Sequence, residues 1–127
     1  MPSDADAEAK ALEAMDYAVS TMHMQGFSRM FRPVNYAPTE ADHDKVKARG
    51  KEIMEKGLAL MDKALEGKEY LAGKFSVADA ALFYVEFWAA GRMKMPLPKN
   101  VAAHYERMKN RPAVKRVLEQ EGLTAAA

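Results

Sequence analysis

Few side chains in this chain could carry out chemistry. There are three histidines, His23, His43 and His104, and no cysteine. Without cysteine the chain can form no disulfide, no thiolate nucleophile and no cysteine-ligated zinc site. The histidines lack metal-ligand spacing, so no metal site is expected. Asp16, Ser20 and His23 form the sharpest constellation. With Val19 taken as the middle of an apolar stripe, they lie on one side of it at about 60°, 100° and 40°, at about 100° per helical residue. They would line a partly buried shoulder that a ligand could reach. The plainer alternative is a helix-edge histidine hydrogen-bonded to a neighbour. Trp88 sits among Phe83, Phe87 and alanines. It reads either as core or as one wall of an apolar pocket. Ser76-Val77-Ala78-Asp79 is a capping box: Ser76 offers an oxygen to the Asp79 N–H, and Asp79 reaches back to the Ser76 N–H. Its chemistry is that of folding. No residue reads as catalytic.

Several elements must position these groups. A first helix is predicted from about Asp4 to Arg32, stopped by Pro33. Its inner stripe is expected at Leu12, Met15, Val19, Met22, Gly26 and Met30. A second helix is expected to start at Thr39, with the Thr39 hydroxyl accepting from the Asp42 N–H. Its stripe would be Val46, Gly50, Ile53, Gly57, Leu60 and Ala64, ending at Gly67. Two glycines inside a helix cost about 1 kcal/mol each relative to alanine. Their shared face predicts the close approach of another helix backbone. The third helix, Ser76 to about Ala90, is apolar nearly all round and therefore central, with Gly91 suited to its C′ position. A fourth follows Pro98, with Val101, Tyr105 and Met108 inward, and a fifth opens at Pro112 and ends near Gly122. No segment alternates with period two, so no sheet is expected. The fold class is all-α, a bundle of about five helices with the helix beginning at Ser76 at its centre.

Composition excludes further classes. The 127 residues suit one domain. They are 49% hydrophobic and 29% charged, with a net charge of +1. That balance steers toward neither nucleic acid nor an acidic membrane. The late basic cluster, Arg107, Lys109, Arg111, Lys115 and Arg116, reads as a solvated face. The longest apolar run, Ala80 to Val85, is far short of the roughly 18 residues of a membrane span. Met1-Pro2-Ser3-Asp4 is not a signal peptide, and a cytoplasmic location is expected. Of the ten methionines, Met15, Met22 and Met30 read as core, although adaptable methionines also suit a promiscuous apolar pocket.

Three stretches carry a family resemblance. Tyr70-Leu71-Ala72-Gly73-Lys74-Phe75-Ser76-Val77-Ala78-Asp79-Ala80-Ala81-Leu82 resembles the glutathione transferase segment in which a glycine loop leads into a buried helix opened by a Ser/Thr-x-x-Asp box. The run from Ser20 to Pro33, with His23 in it, is similar to the end of the first C-terminal-domain helix in the bacterial beta class. The tail from Tyr105 through Arg111-Pro112 to Glu121-Gly122-Leu123 fits as well. The order is collinear with the helical domain alone.

The resemblance implies that residues 1–127 form the helical half of a glutathione S-transferase-like protein, without the thioredoxin-like half that activates the tripeptide. The histidine matching His23 lies near glutathione's sulfur, the residue matching Asp16 reaches the neighbouring subunit's glutathione, and Trp88 matches a tryptophan on the acceptor-substrate side. This sequence departs from the pattern at Asp16, where the family has asparagine, and at Met24, where it has lysine. Glutathione is implied as cosubstrate only with a thioredoxin-like partner domain, and a homodimer is the expected assembly. A non-catalytic interaction module, or a carrier of apolar small molecules, remains open as the alternative.

Overall fold

The computed structural model of the chain describes residues 1–124. Among these it forms five helices and no strand beyond an isolated bridge between Ala72 and Lys74. The first helix is continuous but not uniform. α1 (Ala5–Asp16) runs into a π-helical stretch, Tyr17–Phe27, and closes with one α-helical turn, α2 (Ser28–Phe31). Asp4 caps it, accepting from the Ala7 N–H at 2.9 Å. In the π-helical stretch the bonds step back five residues, as from the Ser28 N–H to the His23 carbonyl. Such stretches within helices are frequent at functional sites.

The inner stripe keeps Met22 and Gly26 of the expected one, but Ala11 and Ala18 take the places expected for Leu12 and Val19. Ala11, Ala18, Met22, Gly26 and Phe27 are buried, whereas Leu12 and Val19 are 45% and 46% exposed. Periodicity cannot separate a stripe led by Leu12 and Val19 from one led by Ala11 and Ala18. Close packing decides, because small alanines let this helix lie against the central one.

α3 (His43–Ala64) starts later than predicted. Thr39 precedes a 3₁₀ turn, Glu40–Asp42, and its hydroxyl makes no cap bond; its backbone carbonyl receives the Asp42 N–H instead, at 3.0 Å. His43 Nε2 bonds to the Ala37 carbonyl at 2.9 Å and holds this corner. The close approach signalled by the two glycines is present. A Cβ on Gly50 would stand 2.7 Å from the Gly26 carbonyl oxygen and 2.8 Å from Met30 Cγ. Gly26 and Gly57 lie equally tight against the side chains of Met54 and Met22. Met54, Leu58 and Met61 complete the buried face of α3, while Leu60 stays 45% exposed.

This contact reverses an ordinary preference. Alanine is normally favoured over glycine within a helix by about 1 kcal/mol. At Gly50 the obstruction is a backbone carbonyl, which cannot rotate aside, and such overpacking costs about 1–3 kcal/mol. Gly50→Ala is therefore expected to lower the unfolding free energy by about 1–2 kcal/mol in urea titrations. Stabilisation by that substitution would mean that the two helices lie further apart.

α4 (Val77–Phe87) continues through π-helical Trp88–Arg92 and occupies the centre, packed on α1, on the Tyr17–Phe27 stretch and on α5. Ala78, Leu82, Val85 and Ala89 are buried, but Val77 and Tyr84 leave one face open at 43% and 46% exposure. Gly91 is not the terminating residue. The π turn carries the helix past it, and Lys94 takes the left-handed conformation, with φ at 54°, while the Met95 N–H returns to the Ala89 carbonyl at 2.9 Å.

α5 (Lys99–Lys109) has no cap of its own at Pro98. Asp62 of α3 serves instead, accepting from the Asn100 and Val101 N–H groups at 2.6 and 3.2 Å. α6 (Pro112–Gln120) begins at Pro112 as predicted, and Gly122 ends it at a φ of 65°. Among the described residues, no helix is long and apolar enough to cross a membrane.

Candidate functional site

Two constellations stand out, one buried and one open. The buried one is built on the capping box. Asp79 Oδ2 accepts from the Ser76 N–H at 2.8 Å, and the Ser76 hydroxyl accepts from the Ala78 N–H at 3.3 Å. Both halves of the box form. The other carboxylate oxygen, Oδ1, accepts from the Leu71 N–H at 3.0 Å and from His104 Nε2 at 3.2 Å. His104 Nδ1 in turn lies 2.8 Å from Glu86 Oε1. Asp79, Glu86 and His104 are all 0% exposed.

Both ring nitrogens of His104 face carboxylate oxygens, an arrangement that favours the imidazolium, which can donate to both. Burial by itself would lower its pKa, but the hydrogen bonds to Asp79 and Glu86 prevail and push it up to about 9. Burial likewise opposes charge on Asp79. There the bonds from His104 and from the Leu71 and Ser76 amides win, and its pKa falls below the usual value. Glu86 receives one such bond, so burial prevails and its pKa rises. The network can pin the glycine loop, α4 and α5 together. With no solvent access it cannot reach a substrate.

The open constellation is an aromatic ladder between two helices. His23, Phe27 and Phe31 follow one another at steps of four along the first, with ring centroids 6.2 and 5.9 Å apart. Tyr84 and Trp88 do the same on α4 and its extension, 6.2 Å apart. Residues four apart share a helix face. Two rungs join the rows: His23 meets Tyr84 edge-on at 5.1 Å, and Phe31 meets Trp88 at 6.4 Å. Beside the ladder lies a hollow of ≈ 340 Å³ lined by these five residues with Arg32 and Arg92. A neighbouring one of ≈ 390 Å³ shares His23, Phe27, Phe31 and Arg32 and adds Met24, Ser28 and Asn35. This arrangement can hold a flat apolar body against aromatic faces and edges.

The structure thus brings His23 and Trp88 to one hollow and leaves Asp16 and Ser20 outside it. Ser20 donates to the Asp16 carbonyl at 2.7 Å, and Asp16 stays exposed. Phe27 is 3% exposed, because the π-helical stretch turns it inward. Tyr84 and Arg92 were missed, although each stands four residues from Trp88. Glu86 and His104 were missed as well; the signal was a single acid in the middle of an otherwise apolar helix, which requires a buried partner. Among the described residues, no group of three or more histidine, cysteine, aspartate or glutamate side chains could hold a metal ion.

Comparisons with known proteins agree with this architecture. The family described as glutathione S-transferase, C-terminal domain, matches residues 25–121. The glutathione S-transferase GstA of Escherichia coli O157:H7 is 34% identical over 119 residues, covering 90% of this chain and 54% of that protein. A glutathione S-transferase from Xylella fastidiosa shares the fold with a TM-score of 0.83 at 23% identity, over 94% of this chain and 59% of its own. A glutathione transferase homolog from Sulfitobacter, solved with bound glutathione, aligns with a TM-score of 0.80 at 26% identity, over 97% and 59%. The chain therefore spans about half the length of GstA. By its matched residues and its five-helix fold, the chain belongs to the glutathione S-transferase family, as a C-terminal helical domain.

Proposed function

We propose that residues 1–127 form one domain that supplies the acceptor-substrate wall of a glutathione-conjugating enzyme, completed by a thioredoxin-like half that holds and activates glutathione. The observation that carries this reading is the aromatic ladder: His23 and Trp88, 65 residues apart in sequence, frame one open hollow through Tyr84 and Phe31. Glutathione bound to the Sulfitobacter homolog supports the choice of cosubstrate. In this scheme His23 approaches the sulfur of glutathione and Trp88 packs on the acceptor. Asp16, exposed, and Ser20, half-buried, lie a few residues upstream and are assigned to the ligand of a second copy in a cytoplasmic homodimer.

Thiolate activation is assigned to the partner half. This chain has no cysteine, and Asp79, Glu86 and His104, whose pKa values are all shifted, are sealed in the core. The 127-residue chain alone is therefore expected to leave conjugation of glutathione to an aromatic electrophile at the uncatalysed rate. Joined downstream of a thioredoxin-like half from a glutathione transferase, it should support turnover. In that fusion Trp88→Ala should raise the KM for the acceptor by about tenfold, the upper range for loss of an aromatic contact. Turnover by the chain alone that vanished in His23→Ala would move the chemistry onto this domain and overturn the assignment.

A carrier role has one observation in its favour. A second groove of ≈ 410 Å³ lies between α1 and α3, floored by Ala14, Met61, Ala64 and Leu71. A neutral apolar probe that bound there and not beside Trp88 would favour that role over conjugation.

A further inference from the structure

We infer that the hollow selects acceptors bearing an anionic group on an aromatic or apolar body, and that Arg32 and Arg92 make that selection. The inference rests on the reading of this hollow as the acceptor side. Arg32 follows the first row of the ladder and Arg92 extends the second by one more step of four, so both arginines line the same hollow as the aromatic residues. No aspartate or glutamate lines either hollow.

Neither arginine is committed elsewhere among the described residues. Arg49 pairs with Glu52, Arg29 bonds to Gln25, Arg107 donates to the Glu69 carbonyl and Arg111 donates to the Tyr70 hydroxyl. The ion pairs of the described residues include neither Arg32 nor Arg92. Both side chains are exposed, so nothing within the domain requires them to stay where they are. A planar guanidinium stacks on aromatic rings and grips a carboxylate or sulfonate with two parallel bonds. Two of them around an aromatic floor make a receptor for an aromatic anion. A neutral aromatic molecule would use the floor alone.

The chain offers a built-in reporter. Trp88 is its single tryptophan, so its indole N–H gives one unmistakable resonance from the wall of the hollow. Two probes share one ring system: 1-anilinonaphthalene-8-sulfonate and its uncharged parent, N-phenyl-1-naphthylamine. Titrated against the ¹⁵N-labelled chain, the sulfonate should shift the indole resonance and bind about tenfold more tightly than the more apolar parent. Two exposed charge contacts allow about that factor. In the Arg32→Gln/Arg92→Gln variant the preference should fall to about onefold, with the parent's affinity unchanged. Both positions are exposed, so the urea midpoint of the variant should match that of the unaltered chain.

Equal affinities of the two probes, insensitive to the arginines, would overturn anion selection and leave the acceptor reading standing. Failure of both probes to move the indole resonance would overturn both. Glutathione has carboxylates of its own, so it is titrated separately. An indole shift by glutathione alone that is lost in the arginine variant would assign the two side chains to the tripeptide and overturn their role in choosing the acceptor.

Discussion

Asp79→Ala is expected to cost about 3–5 kcal/mol of unfolding free energy, the range for removing one partner of a buried ion pair. Loss of a surface cap costs about 0.5–2 kcal/mol. The larger figure follows from what Asp79 holds. Its removal orphans the amides of Leu71 and Ser76 and leaves the buried His104 imidazolium with Glu86 alone. Leu71 and Ser76 are both buried, and each unsatisfied buried donor costs about 1–3 kcal/mol. Asp79→Asn keeps one acceptor oxygen and should fall between the alanine variant and the unaltered chain. Urea unfolding of the three proteins measures the order. A loss below about 1 kcal/mol for alanine would mean that the glycine loop and the start of α4 are wet.

The second large effect is alkaline weakening. His104 has a folded pKa of about 9 against an ordinary value of 6.5. A group raised in this way contributes fully below the unfolded value, and the contribution is lost as pH climbs through the folded one. Between about pH 6.5 and 9 the stability should therefore fall by an amount on the order of 3 kcal/mol, at about 1.4 kcal/mol per pKa unit. Asp79, lowered from 3.8, acts at the other end: its contribution is present above that value and is lost as pH falls further. Glu86, raised from 4.5 by burial, adds a cost that grows as pH rises above that value. The optimum should lie on the mildly acidic side of neutrality. Urea midpoints from pH 5 to 10 would trace this curve. His104→Gln should lower the whole curve and remove its fall between pH 7 and 9. An unaltered fall in that variant would place the titrating group elsewhere.

The ladder and the network differ in how far they could be read from the chain alone. His23, Ser76, Asp79 and Trp88 stood out by residue type and local spacing. Tyr84 and Arg92 carried the same kind of signal, four residues either side of Trp88, but nothing local marked which face of that nearly uniformly apolar helix would stay open. The π-helical turns in Tyr17–Phe27 and Trp88–Arg92 change the number of residues per turn, so faces extrapolated at 3.6 residues drift. That drift buries Phe27 and carries the extension of α4 past Gly91, so that Lys94 takes the left-handed conformation.

The sequence by itself determined the all-α class, the punctuation of the helices and the capping box. These depend on Asp4, Pro33, Gly67, Ser76, Asp79, Pro112 and Gly122, each acting within a turn or so of itself, where backbone sterics and nearby amides decide the outcome. Gly50 and Gly57 also announced a close helix crossing, because glycine within a helix is otherwise costly. Only the tertiary structure decided which alanines of the first helix would be buried, that Asp62 would cap a helix 38 residues away, and that His104 would join Asp79 to Glu86. The physical reason is range. A cap or a turn is settled by neighbours along the chain, whereas a buried charge finds its partner only after packed helices have excluded the water that would otherwise have solvated it.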